Sequence, residues 1–253
     1  MSNQLTQIQS VYDLGLLWGS IASAPLKESR DTFSQESVTH ILKVCDALWL
    51  HSGDPKAPHA ELTSGKCSDG FVDTLRALRF PNLCDILAYH LARVIDDKID
   101  ELDLASSEVG NPTIGWVVGS DHAGAVFSQN VARWVGAEHD FTEKGPDGTQ
   151  VWKRFTIPEN RNVLQVEELM TTAKTLNAVR AGIRKGNSNP VTFLPMVATL
   201  VHRSDVYEIE GAPVVYLVHY DIHVWEPSEC PLCAGGSERI KPKANWARLT
   251  GRA

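Results

Sequence analysis

The run Asn162-Val-Leu-Gln-Val-Glu-Glu-Leu-Met-Thr-Thr-Ala-Lys-Thr175 decides how this chain is read. Its first five residues form an apolar-rich segment of the kind that fills a buried strand. The segment ends in two carboxylates, Glu167 and Glu168. Two hydroxyl residues, Thr171 and Thr172, then lead into a helical stretch with Thr175 in its first turn. Backbone N–H groups at a helix start, joined by threonine hydroxyls, make a cradle for a phosphate. Paired carboxylates just upstream suit sugar hydroxyls. A single loop with these parts would hold a ribose 5-phosphate; the bland reading is a solvated acidic turn with a capping threonine.

Outward from this loop, strand and helix patterns alternate. Ile114–Val118 is a short apolar run followed by the polar turn Gly119-Ser-Asp-His-Ala-Gly124, and Ala125–Val135 has helical character with Gly136 as its stop. Gln150–Ile157, Asn162–Val166, Val191–Val201 and Val214–Val224 read as strands, and Lys174–Arg184 as a helix closed by Gly186. Such alternation predicts an α/β fold: a mainly parallel central sheet with helices on both faces. Ligands of such sheets sit in the loops at the C-terminal strand ends, which singles out Gly119–Gly124 and Glu167–Thr175. Further out, Val38, Ile41, Leu42, Cys45, Leu48 and Trp49 lie at helical spacing after an N-cap candidate, Ser34, and a second helix spans Asn82 to about Asp100. The expected layout is an N-terminal helical segment (1–58), an α/β domain with a hood (59–225) and a Cys-containing basic tail (226–253).

The chain has 253 residues, 43% hydrophobic and 22% charged, with a net charge of -7 and five cysteines. That is an ordinary globular balance, large enough to bury a full core. An acidic chain has no electrostatic reason to coat nucleic acid or an anionic membrane. The segment before Pro58 has no basic recognition helix; Arg30 and Lys43 stand nearly alone. No run approaches the ~20 apolar residues of a membrane helix. Sparse, odd-numbered cysteines and the polar Met1–Ser10 stretch lead us to expect a cytoplasmic protein.

The 166–175 loop resembles that of the phosphoribosyltransferases, whose strand, acidic pair and Thr-Thr-Gly-x-Thr loop appear here as Val166-Glu-Glu-Leu-Met-Thr-Thr-Ala-Lys-Thr175. Glu61-Leu-Thr-Ser-Gly-Lys-Cys-Ser-Asp-Gly-Phe-Val-Asp73 is similar to the N-terminal segment of the orotate phosphoribosyltransferases, and Gly119–Gly124 sits where that family binds pyrophosphate. The resemblance covers roughly Leu62–Val224. It implies a type I phosphoribosyltransferase fold and transfer of phosphoribosyl from 5-phosphoribosyl-1-pyrophosphate (PRPP) to orotate or a related nucleobase, with Mg2+ as cofactor. It also implies a homodimer. Glu167 and Glu168 would hold the ribose hydroxyls. Thr171, Thr172, Ala173, Lys174 and Thr175 would hold the 5-phosphate. Ser120, Asp121 and His122 would line the pyrophosphate site, Lys144 would act over the diphosphate, and Lys66 and Phe71 would meet the base. This chain departs from the family in Ala173 for the usual Gly, Glu168 for the usual Asp, and a short Glu143–Thr149 loop lacking a Lys-x-His-Gly pattern. Trp152-Lys-Arg154 is either a substitute source of charge or an exposed strand face. The other reading is a non-catalytic phosphoribosyl-binding regulator with a degenerate site.

Cys230-x-x-Cys233 has the spacing of half a tetrahedral zinc site. A redox-capable pair, or small residues in a turn, are the alternatives. Candidates to complete a zinc site are Cys67, Cys45, Cys84, or a histidine such as His219 or His223. The basic tail, with Arg239, Lys241, Lys243, Arg248 and Arg252, reads as a solvated arm, a cover for the active site, or a binder of a partner's phosphates.

Overall fold

The computed structural model describes residues 9–10, 13, 32–104 and 113–251. Much of the N-terminal segment before residue 32, including Arg30, lies outside the described residues, as does Arg252 of the tail. In chain order the elements are α1 (Gln35–Val44), β1 (Leu48–Leu50), β2 (His59–Glu61), β3 (Cys67–Ser68), β4 (Gly70–Val72), α2 (Leu75–Leu78), α3 (Pro81–Glu101), β5 (Trp116–Gly119), α4 (Ala123–Val135), β6 (Glu138–Phe141), β7 (Glu143–Lys144), β8 (Gln150–Val151), β9 (Asn162–Met170), α5 (Lys174–Gly186), β10 (Thr192–His202), β11 (Glu208–Ile209), β12 (Ala212–His219), β13 (Val224–Trp225), α6 (Pro231–Ala234), β14 (Arg239–Ile240) and α7 (Trp246–Leu249).

A six-stranded sheet in the order β11-β12-β10-β9-β5-β6 forms the centre. All of its pairings are parallel except the short β11–β12 ribbon. One face is covered by α3 and α4, whose Leu87, Leu91, Phe127 and Val131 share a core with Val117, Leu164, Val166 and Ala198. The other face meets α5, where Val179 and Ile183 pack with Trp116, Val118 and Val163. This is the α/β sandwich that the alternating pattern predicts. No described helix is long and apolar enough to cross a membrane.

The hood is a separate four-stranded sheet, β13-β3-β2-β14, in which the tail takes part. β14 runs parallel to β2, with Arg239 opposite His59. The reading of the tail as a solvated arm therefore gives way over most of its length. Glu229–Leu249 is built into the hood, and Trp49 donates its indole N–H to the Leu249 carbonyl at 2.7 Å.

Several element limits differ from the sequence reading for identifiable reasons. Helix α1 starts as expected, with Ser34 accepting from the Ser37 N–H at 3.2 Å. It stops at Val44 because Asp46 takes a left-handed φ of 56°. Leu48 and Trp49 thus belong to β1, paired with β4, and not to the helix. The expected Gln150–Ile157 strand ends at Val151, where Trp152 turns into the core and donates to the Phe155 carbonyl at 2.6 Å. The Val214–Val224 run divides between the sheet and the hood.

Candidate active site

Strand β9 carries the acidic pair to the C-terminal edge of the sheet, beside the loop after β5. Glu167 is buried and turned toward that loop. Its carboxylate accepts the Ser120 N–H at 2.9 Å and the Ser120 hydroxyl at 2.6 Å. Burial raises the Glu167 pKa first, the neighbouring Glu168 charge raises it further, and the two Ser120 donors pull it back. Glu168 is also raised, again chiefly by burial. The sequence reading gave both glutamates one role, holding ribose hydroxyls. The geometry divides them: Glu167 fastens the Gly119–Gly124 loop to the sheet, and Glu168 lies beside it along the cavity wall.

Gly124, in the first turn of α4, makes this packing feasible. A Cβ there would lie 2.5 Å from the Ser120 Oγ, 2.8 Å from a Glu167 carboxylate oxygen and 3.3 Å from one of Glu168. Just before it, His122 adopts φ 59° and ψ -115°, a sparsely populated conformation for a residue with a side chain. Its ring projects outward, with Nδ1 3.0 Å from Asp121 Oδ2, and it does not line the cavity.

Ser120, Asp121, Lys144, Glu167, Glu168, Lys174 and Thr175 line one cavity of about 330 Å3. Lys144 reaches its rim from the β7–β8 hairpin. The hairpin lies directly on α5, because Gly182 leaves room for the Gln150 carbonyl where a Cβ would be only 2.3 Å away. Lys153 and Arg154, raised as substitute cations, are both paired with Glu143.

The threonine loop is held from beneath. Gln165 is fully buried; it donates to the Leu176 carbonyl at 2.9 Å and accepts from Arg180 Nε at 3.0 Å. Arg180 and Arg184 both pair with Glu210, whose carboxyl is held down to about 2 chiefly by its hydrogen bond with Arg184. The first turn of α5 is thereby tied to β9 and to the β11–β12 turn. Ala173 has φ -67° and ψ -1°, ordinary right-handed values, so this loop does not need glycine there.

A larger cleft of about 650 Å3 lies on the other side of the same loop. Thr171 and Thr172 form part of it, the hood contributes Leu62, Ser64 and Lys66, and the β10 and β12 exits contribute Arg203 and His219. Lys66 is ion-paired with Glu226 at 2.8 Å. Phe71 is elsewhere: its ring packs edge-on against Trp246 in the hood core and lines neither cavity. Arg203 and the Ile222–Trp225 wall escaped the sequence reading. The signal that could have found them is the one that found the other loops, since both follow C-terminal strand ends.

A parallel sheet whose C-terminal edge carries an acidic pair and a hydroxyl-rich helix start, under a small hood, is the architecture of the type I phosphoribosyltransferases. Comparison with known proteins agrees. The chain is 30% identical over 184 residues to the orotate phosphoribosyltransferase of Thermoanaerobacter sp. (strain X514), covering 73% of this chain and 87% of that protein. It is 28% identical over 214 residues to the orotate phosphoribosyltransferase of Heliobacterium modesticaldum, covering 83% and 97% respectively. Among solved structures, Leishmania donovani UMP synthase superposes with a TM-score of 0.51 at 13% identity, covering 74% of this chain and 36% of that one, a likeness of fold. No family model matches the chain. The chain belongs to the orotate phosphoribosyltransferase family, as a divergent member.

Proposed function

We propose that the protein transfers the 5-phosphoribosyl group of PRPP to orotate or a closely related nucleobase, releasing pyrophosphate. The observation that carries this reading is the single loop 169–175, which lines both cavities. On one side it meets Glu168, Asp121 and Lys144; on the other, a cleft of base-binding size with Lys66 and Arg203. A ribose seated over the loop would present its 5-phosphate to the start of α5 and its C1 to the junction of the two spaces. The diphosphate would extend toward Ser120, Asp121 and the N–H groups at the start of α4. Arg203, joined by Lys66 once it exchanges Glu226 for the ligand, would suit an acidic base such as orotate.

In the reaction, the bond from C1 to the diphosphate oxygen breaks and a bond from a ring nitrogen of the base forms, that nitrogen giving up its proton to the departing diphosphate or to water. The electron pair leaves with the diphosphate. Lys144, at the rim, would meet that developing charge. Lys66 and Arg203 would orient the base, and Gln165 and Glu167 act as positioning residues behind the loops.

The donor set also fits Mg2+. Asp121 and Glu168 offer hard carboxylate oxygens, and they do not form a closed protein cage. Mg2+ commonly uses one or two carboxylates together with substrate phosphates and water. Glu168 and Asp121 would hold the ion, which would neutralise charge on the leaving diphosphate. The homodimer and the cytoplasmic setting implied by the resemblance belong to the same proposal; the five free cysteines support a reducing compartment.

Calorimetric titration with PRPP, with and without Mg2+, tests the reading. Mg2+-dependent binding is expected, followed by orotate consumption in the presence of both. The Glu167→Gln/Glu168→Gln double variant should remain folded and lose PRPP binding; unchanged binding would refute the assignment.

A further inference from the structure

The hood brings together four side chains from two distant stretches of the chain: His59 on β2 and Cys67 on β3, and Cys230 and Cys233 around α6. Their ligand atoms all lie within 4.8 Å of one another. The Cys67 and Cys233 sulfurs are 3.6 Å apart, and His59 Nε2 is 3.3 Å from the Cys233 sulfur and 3.7 Å from that of Cys230. We propose that this cluster is a structural zinc site with a Cys3His ligand set.

These three of the six edges lie close to those of a tetrahedron. With Zn–S near 2.3 Å and Zn–N near 2.0–2.1 Å, tetrahedral edges come to about 3.8 Å between sulfurs and about 3.6 Å between sulfur and nitrogen. A disulfide would need the sulfurs at about 2.05 Å.

The histidine tautomer is fixed in the form required. The Ser237 hydroxyl has one proton and donates it to the Ala57 carbonyl at 2.7 Å. It must therefore accept from His59 Nδ1, 2.8 Å away. That places the ring proton on Nδ1 and leaves the Nε2 lone pair facing the sulfurs. A ligating histidine whose second nitrogen donates to a fixed acceptor is the usual outer-shell arrangement of zinc sites. Three thiolates, a neutral imidazole and Zn2+ sum to one negative charge, and Arg239 stands opposite His59 in the β14–β2 pairing, its guanidinium 3.2 Å from Glu61.

The hood also needs a staple. Its strands are two or three residues long, and its core comprises Trp49, Ala60, Ile240 and Leu249 with Phe71 and Trp246 against them. A module of this size rarely holds on hydrophobic burial alone. The metal would tie the tail to β2 and β3, and with them the Ser64–Lys66 turn that lines the larger cleft. Cys45, Cys84, His219 and His223, which the sequence left open as partners, lie outside the cluster.

The test uses the full chain purified without chelator. Metal analysis should give one zinc per chain. Replacement by Co2+ should give the sulfur-to-cobalt charge-transfer and strong visible bands of a tetrahedral thiolate site. Cys233→Ser should lose both. Should that variant fail to fold, His59→Cys is informative, since it should keep one metal per chain and shift the charge-transfer bands. Added Zn2+ should protect Cys67, Cys230 and Cys233 from alkylation in the chelator-stripped protein, leaving Cys45 and Cys84 unaffected. Absence of bound metal together with absence of protection by Zn2+ would overturn the proposal. So would an octahedral cobalt spectrum, or a stoichiometry unchanged in Cys233→Ser. None of these readouts depends on PRPP or on turnover.

Discussion

Most groups facing the smaller cavity stand at the ends of β5 and β9, strands of four and nine residues, or in the first turns of α5, and are locked by buried hydrogen bonds such as those of Gln165 and Glu167; Lys144 alone among the proposed residues of that cavity comes from a two-residue strand. The groups facing the larger cleft from the hood stand on strands of two or three residues with few apolar side chains behind them. The first region is rigid because parallel strands and two helical layers leave it no alternative packing. The second must borrow rigidity from side-chain chemistry, here the His59 cluster and the Lys66–Glu226 pair. The difference separates the tasks. The sheet half would fix the phosphoribosyl group, which is constant in the proposed chemistry, and the hood would set which base is accepted.

The severest way to break this division is at Gly124. Gly124→Val would drive a side chain into Ser120, Glu167 and Glu168. PRPP affinity should fall by on the order of 100-fold, the penalty that an ångström-scale misplacement of reacting groups carries. Calorimetry checks it, with zinc content of the hood as the internal control expected to stay constant.

A smaller loss is expected at Ser120. Ser120→Ala removes the hydroxyl donor to Glu167 but keeps the N–H, so PRPP affinity should fall roughly tenfold, the worth of one hydrogen bond to a charged group. On the other side of the loop, Lys66→Ala and Arg203→Ala should each raise KM for the base several-fold to about tenfold while the PRPP dissociation constant holds. Equal damage to both substrates would erase the proposed division of labour.

How much of this was legible in the sequence follows the same boundary. The 162–175 run, the Gly119–Gly124 turn and the layered fold were readable, because strand, loop and helix signals there are local and contiguous. Ser34 as an N-cap was readable for the same reason. In the hood, Cys230-x-x-Cys233 was readable as half a zinc site and Cys67 as one candidate to complete it, but the pairing of the tail with β2 and the part played by His59 were not. His59 and Cys230 stand 171 positions apart, and nothing beside His59 marks it as a partner of that pair. Phe71 looked like a base-contacting aromatic because its motif position suggested it; only the fold of the tail, which brings Trp246 against it, shows that its ring is used in packing. The tail itself looked like a solvated arm because its charges are visible and its pairing with β2 is not.

Acid sharpens the contrast by a modest amount. Burial holds His90 and His139, both in the sheet half, down to about 4. Unfolded histidines titrate near 6.5, so between that pH and about 4 the unfolded chain takes up protons that the folded chain does not. The stability these two histidines supply should therefore be full above pH 6.5 and fall as pH drops, by up to about 1.4 kcal/mol per pH unit for each, and the raised carboxyl of Glu167 opposes that fall over the same range. His90→Gln, which keeps an acceptor for the Phe33 N–H, should flatten this limb in pH-dependent thermal melts. Glu210 acts lower down. Its depressed carboxyl contributes stability above about 4.5 that is lost as pH falls toward 2, and Glu210→Gln should remove that last portion.

The smallest effect is expected at Ala173, where the sequence differs from the usual glycine of the family. If the loop required a left-handed residue there, alanine would be strained and Ala173→Gly would tighten PRPP binding strongly. Its φ of -67° removes that requirement. The methyl group instead packs beside Met170, Leu176 and Val214, so its loss gives up a little burial. At an N-cap, however, glycine is better accepted than alanine, so the lost burial and the better cap largely offset each other. PRPP affinity should thus change by less than about fivefold, with the melting temperature little altered. A large gain would mean that the loop rearranges to a left-handed turn when phosphate binds, and that the sheet half is less pre-organised than its hydrogen bonds imply.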